Sequence, residues 1–203
     1  MNNINNIIKL NKKLILASKS PRRKKLLDNL GFVFEVIESG YKEDKTNGVS
    51  DFRKYAIDSA FNKANDVAQR QEKNCLVLGA DTIVVLENEI LHKPKDKADA
   101  LNILRTLSNR THEVLTGVAI IDTESNRVIE NVQTTEVTFR ELSDDEIQAY
   151  IESGSPMDKA GGYGIQDDFG AVFVQKINGC YYNVVGLPLE MVYTMLKEFS
   201  EIK

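Results

Sequence analysis

An α/β fold is what this 203-residue sequence predicts, and three observations carry it. The chain opens as strand, helix, strand; an alanine-rich helical stripe is followed by a fully apolar strand; and two long β-prone stretches then succeed each other across a short polar turn. The composition, 42% hydrophobic and 28% charged, is an ordinary globular balance, and the length suffices for one sizeable core or for two lobes sharing a cleft. A net charge of −4 argues against a general nucleic-acid coat, whose affinity comes from many phosphate contacts, while leaving room for a local basic site that takes a small polyanion.

Residues 1–13 are rich in Asn and read as a loose extension of a single domain spanning 1–203. They lack the apolar core and cleavage site of a signal peptide, and no apolar stretch approaches a membrane span, so a cytoplasmic protein without membrane or nucleic-acid partners is expected. Cys75 and Cys180 fit no C-x-x-C or Cys/His ligand pattern and read as reduced structural thiols. His92 and His112 have no carboxylate or cysteine at ligand spacing, so any metal here would be held by oxygen.

Residues 14–17 form the first strand, which runs into Ser18-Lys19-Ser20-Pro21-Arg22-Arg23. Ser20 suits the N-cap of a helix over 21–30, and Pro21 sits where its missing N–H costs nothing. Arg22 and Arg23 in the first turn oppose the helix dipole unless a polyanion such as phosphate sits among them; the plainer alternative is a helix start with an exposed basic edge. Gly31 ends the helix, residues 32–37 alternate as a strand, and a polar loop runs through Gly48.

Across 50–69, Phe52, Tyr55, Ala56, Ser59, Ala60, Ala64 and Val67 recur at helical spacing as an inward stripe, and Lys63 lies on it. That lysine either snorkels at the stripe's edge or aims its ammonium into a cleft. The strand at 75–80 is apolar throughout, is interrupted by Asp81-Thr82, and resumes at 83–86. A carboxylate inside a core run requires hydrogen-bond partners, a metal or access to a cleft, and no helix starts here for Asp81 to cap.

A polar turn at 87–89 leads to 90–94, which leaves Lys93 at a loop mouth, and 96–107 is a helix with Ala100, Leu101, Leu104 and Leu107 inward. Residues 111–122 and 128–140 form a hairpin by pattern, and Ser143 with Glu146 makes a capping box for a helix to Ile151. Gly154, Gly161, Gly162, Gly164 and Gly170 exclude a regular element over 154–170; with Asp158, Lys159 and Gln166 in it, this segment is either a flexible connection or a loop that folds over a ligand. Strands at 171–177 and 181–185 around Asn178-Gly179, then a helix over 188–199, complete the expectation.

Taken together, S-x-S-P-R-R-x-x-L-L at 18–27, G-A-D-T at 79–82, K-P at 93–94, D-K-A-G-x-Y-G-I-Q at 158–166 and N-V-x-G-L-P at 183–188 resemble the Maf family of nucleoside triphosphate pyrophosphatases. The likeness runs from about Leu14 to Leu189 with the motifs in order. It implies an elongated mixed β-sheet with flanking helices and two lobes around a central cleft, similar to the inosine triphosphate pyrophosphatases. It further implies cleavage of a nucleoside triphosphate to monophosphate and pyrophosphate, with Mg²⁺ or Mn²⁺, by a homodimer. Carried over residue by residue, Ser20, Arg22 and Arg23 resemble the triphosphate cradle, Lys63 and Lys93 the phosphate-facing lysines, and Asp81 the acceptor of a water proton and a metal ligand.

Glu43 lies near the family's acidic pair and is the other expected metal ligand, although Lys42 precedes it where the family usually has an acid. Gly162 stands where the family often has Ala, and Asp167-Asp168-Phe169 replaces a more compact turn. Thr82 and Gln166 match the branch that acts on dTTP and UTP, with Arg22 also at a specificity position; the amide of Gln166 offers a donor and an acceptor to a pyrimidine edge. A 7-methyl-GTP pyrophosphatase, a non-catalytic nucleotide-binding regulator of cell division and a nucleotidyl transferase are the competing readings. The intact acids and cations speak against the regulator, and nothing in the sequence supplies a second acceptor for a transferase.

Overall fold

The computed structural model describes residues 8–42, 46, 48–166 and 169–200. Its strands are β1 (Lys13–Leu16), β2 (Phe34–Val36), β3 (Cys75–Leu86), β4 (Glu89–Leu91), β5 (Thr111–Asp122), β6 (Val128–Phe139) and β7 (Val174–Asn178). The helices are α1 (Pro21–Asn29), α2 (Phe52–Ala68), α3 (Lys97–Leu107), α4 (Asp144–Glu152), α5 (Tyr181–Val185) and α6 (Leu189–Lys197). The seven strands make one mixed sheet in the hydrogen-bonded order β2-β1-β3-β5-β6-β7, with β4 paired to β3. β1 is parallel to β2 and to β3, whereas β3 with β4 and β6 with β7 are antiparallel, so the predicted α/β class with a mixed sheet is what forms. No helix among the described residues is long and apolar enough to cross a membrane.

The chain divides into two compact units, the first of Met1–Asp81, Thr116–Gln133 and Gly186–Lys203, the second of Thr82–Leu115 and Thr134–Val185. In the first, α2 buries Ala56, Ser59, Ala60, Ala64 and Val67, and the last three pack in one core with Ile15, Val77 and Ala119. These small residues let the helix lie close to the sheet, and two glycines complete the approach. A Cβ on Gly79 would stand 2.3 Å from the Ala60 carbonyl oxygen, and one on Gly117 would stand 2.2 Å from that of Ala56. Glycine is required at both positions because a larger residue would drive α2 off the strands.

Ile8 is buried in the same unit, and the Lys12 ammonium lies 2.8 Å from the Asp122 carboxylate and 2.7 Å from that of Glu124. Burial alone would raise the Asp122 carboxyl; the bonds from Lys12, Ser125 and the Glu124 N–H overcome it and bring the group down to about 2.

In the second unit, α3 and α4 cover a core that includes Val84, Leu104, Phe139, Tyr150 and Phe173. The capping box at Ser143 and Glu146 is present, and the Arg140 guanidinium on Glu146 holds its carboxyl at about 2. The glycine-rich stretch holds short 3-10 turns at Ser155–Asp158, Ala160–Gly162 and Gly170–Phe173. The last of these delays β7 to Val174.

Residues 181–185 are a helix rather than the expected strand. Alternation would have to bury one of the neighbouring tyrosines Tyr181 and Tyr182, which are 40% and 45% exposed. The helix instead turns Asn183 fully inward, where its side-chain amide donates to the Val114 carbonyl at 2.9 Å and to Thr135 Oγ1 at 2.9 Å. Two satisfied donors in the core outweigh the modest β-preference of the tyrosines and valines.

Candidate active site

The start of α1 is built as its sequence predicts. Ser20 Oγ accepts from the Arg23 N–H at 3.4 Å, Pro21 occupies the first turn, and the Ser20 N–H in turn donates to the Oγ of buried Ser18 at 3.1 Å. The first turn carries no acid. Arg22 and Arg23 are both half-buried, and Arg23 Nε donates to the Gly186 carbonyl at 2.8 Å. That bond ties the S-x-S-P-R-R stretch to the N-V-x-G-L-P stretch, whose Gly186 adopts φ 120°.

On α2, the two alternatives for Lys63 are separated by geometry. Its side chain is 15% exposed, and Nζ lies 2.5 Å from Oδ1 of Asp81, whose side chain is 7% exposed. The ammonium is therefore turned onto the acid that interrupts β3 rather than out along the helix edge. The close approach at Gly79 places it there, since Lys63 sits between the two residues, Ala60 and Ala64, that touch that glycine.

The line of Lys63 continues at Asp66 on the same helix and at Arg70 just past its end. Asp66 Oδ2 accepts from the Gly40 N–H at 2.8 Å, from Ser39 Oγ at 3.1 Å and from Arg70 at 2.8 Å, and Arg70 also donates to the Glu38 carbonyl at 3.1 Å. The Gly40 N–H foremost, then Ser39 and Arg70, hold the Asp66 carboxyl below its usual value. These bonds fasten the beginning of the acidic loop; Glu43 itself lies outside the described residues. Spacing of three and seven residues from Lys63 was the signal available in the sequence for Asp66 and Arg70.

Thr82, Lys93 and Gln166 belong to the second unit, where Thr82 and Gln166 are half-buried and Lys93 is exposed. Here two of the motifs touch. The Gly161 N–H donates to the His92 carbonyl at 3.3 Å, and a Cβ on Gly162, at φ +69°, would stand 3.2 Å from Pro94 Cγ. The K-P stretch is thus a seat for the glycine-rich one. The Lys159 ammonium is buried there against Asp158 Oδ1 at 2.7 Å and the Ser155 carbonyl.

Farther along the segment, Tyr163 OH and His112 Nε2 are hydrogen-bonded at 2.7 Å in the interior. Burial pushes the His112 imidazole down to about 4 and the Tyr163 phenol up, so both are neutral near pH 7. Sequence reasoning set His112 aside for want of metal-ligand spacing. Its partner is 51 residues away, and no local pattern announces it.

A family model described as Maf-like protein matches residues 13–199. A dTTP/UTP pyrophosphatase of Clostridium beijerinckii is 47% identical over 93% of this chain and 100% of its own length, and one of Thermoanaerobacter pseudethanolicus is 44% identical over 94% and 98%. Among solved structures, a HAM1 protein from Coxiella burnetii covers 92% of this chain and 99% of its own at 13% identity, with a TM-score of 0.47.

Proposed function

The chain belongs to the Maf family, and on that premise we propose that it hydrolyses nucleoside triphosphates, dTTP and UTP foremost, to the monophosphate and pyrophosphate. Support comes from the relatives named dTTP/UTP pyrophosphatase, which it matches over nearly its whole length. The observation in the molecule that carries the reading is the Lys63–Asp81 pair, a carboxylate held in a buried strand by an ammonium.

In this reading, Lys63 fixes Asp81 by Oδ1 and the other carboxylate oxygen takes a proton from the water that attacks the α-phosphorus. General-base assistance of this kind is worth about 10²–10⁴-fold. Arg22, Arg23 and Lys63 are assigned to phosphate charge, as is Lys93, and Ser20 holds the helix start from which the arginines project. Thr82 and Gln166 are assigned to recognition of the pyrimidine.

Asp81, a buried hard-oxygen donor, fits a Mg²⁺ or Mn²⁺ site, since Mg²⁺ takes one or two protein carboxylates beside substrate phosphates. Glu43 is the second proposed donor, and among the described residues no group of three or more His, Cys, Asp and Glu assembles a closed cage. When bound, such an ion would neutralise phosphate charge.

The test is pyrophosphate release, with Mg²⁺ present, across dTTP, UTP, GTP and 7-methyl-GTP. The expected result is a higher kcat/KM for dTTP and UTP than for both purines. A preference for 7-methyl-GTP overturns the substrate assignment, and no release from any nucleotide overturns turnover itself.

A further inference from the structure

We propose that His112 is a positioning residue for Gln166, acting through its hydrogen bond to Tyr163 at the base of the glycine-rich segment; this rests on the reading of Gln166 as the group that recognises the pyrimidine. The segment is fixed at successive points before it reaches Gln166. Gly161 packs on Val84, with a would-be Cβ 3.0 Å from its methyl carbons, at φ +67°. Tyr163 OH is then held by His112 at 2.7 Å, and the next residue, Gly164, donates its N–H to Tyr150 OH at 3.3 Å. The return of the chain is fixed at the same place, because a Cβ on Gly170 would stand 2.7 Å from the Gly164 carbonyl oxygen and 2.9 Å from Tyr150 OH.

Gln166 lies two residues beyond Gly164, so an error in the direction of the Tyr163–Gly164 backbone is carried directly to its amide. The anchor is rigid on the His112 side. The imidazole stands edge-on to Phe139 at 5.1 Å and to Tyr163 at 5.3 Å, and Phe139 and Tyr163 are themselves 4.7 Å apart. Rings interlocked in this way leave the imidazole little freedom to follow a shifted tyrosine, so the hydrogen bond fixes the tyrosine in turn. A precisely placed amide matters because discrimination by a polar pocket is lost when its hydrogen bonds lengthen.

The experiment compares the ratio of kcat/KM for dTTP to that for GTP in the wild type, His112→Phe, His112→Gln, His112→Phe/Tyr163→Phe and Gln166→Ala, with thermal unfolding of each. Glutamine places an amide near the position of Nε2, whereas phenylalanine keeps the ring and removes the polar atom. The double variant removes both partners together and so leaves neither buried without one. The ratio is expected to fall about tenfold in His112→Phe and in the double variant, the size of one lost hydrogen bond, and to stay within about threefold of wild type in His112→Gln. A lower melting temperature with an unchanged ratio in both phenylalanine variants overturns the inference, provided that Gln166→Ala lowers the ratio. If Gln166→Ala leaves the ratio intact, the pyrimidine-recognition reading fails and the inference fails with it, a result distinct from the first.

Discussion

Lys63 Nζ and Asp81 Oδ1 stand 2.5 Å apart in a setting that leaves their side chains only 15% and 7% exposed. Neither charge would be stable there alone, since an unpaired buried ion costs several kcal/mol. The pair exists because Gly79, two residues before Asp81, lets α2 approach β3 to within backbone contact. Glycine, helix stripe and acid are thus one device, and each component can be removed separately.

Asp81→Asn keeps an acceptor for Lys63 but takes away its counter-charge, so the variant is expected to fold with reduced stability and to release pyrophosphate about 100-fold or more slowly, the scale of a lost general base. Circular dichroism and single-turnover release measure the two properties independently. Near wild-type turnover in the folded variant would remove Asp81 from the reaction.

Lys63→Met leaves a buried carboxylate without its cation, and the stability measured by urea unfolding should drop by about 3–5 kcal/mol. Lys63→Met/Asp81→Asn removes the charge as well, so most of that stability should return while turnover does not. Equal destabilisation of the single and double variants would show that the two groups are not coupled.

Gly79→Ala places a Cβ 2.3 Å from the Ala60 carbonyl oxygen and 2.7 Å from the Ala64 nitrogen. Backbone atoms cannot turn aside as a side chain can, so α2 must shift, at a cost of about 1–3 kcal/mol or more. Because α2 carries Lys63, turnover should fall along with stability. Gly40→Ala, whose new Cβ would meet nothing closer than Asp66 oxygens at 3.9 Å, is the control for stability and should stay within about 0.5 kcal/mol. Equal effects of the two substitutions would count against close approach as the reason for glycine at position 79.

What the sequence disclosed follows from how local each signal is. Ser20 and Pro21 announce the start of α1, and Ser143 with Glu146 the start of α4, because a cap is written within four residues. Asp81 stood out because a charge in an apolar strand violates a simple rule. Its partner was visible only as a lysine on an otherwise apolar stripe, with two readings that only the tertiary approach at Gly79 could separate. The helix at Tyr181–Val185 was misread because its β-prone residues obey propensity, whereas Asn183 obeys hydrogen-bond acceptors on β5 and β6, 69 and 48 residues away. The His112–Tyr163 bond was hidden for the same reason, being a pairing between distant parts of the chain.

His112 also predicts how stability responds to acid. Burial lowers its folded-state value to about 4, against a reference of 6.5 for the unfolded chain. Between those values the unfolded chain binds a proton that the folded protein refuses, so this contribution is fully present above about pH 6.5 and is lost as the pH falls towards 4. At pH 5 the deficit relative to pH 7 amounts to about 2 kcal/mol, from 1.5 pH units at about 1.36 kcal/mol each. His112→Phe/Tyr163→Phe has no imidazole at this position and leaves no buried polar partner behind, so its loss of stability between pH 7 and pH 5 should be smaller than that of the wild type by this amount. Urea unfolding at the two pH values measures the difference, and parallel losses in the two proteins would mean that His112 accepts its proton in the folded state as readily as in the unfolded one.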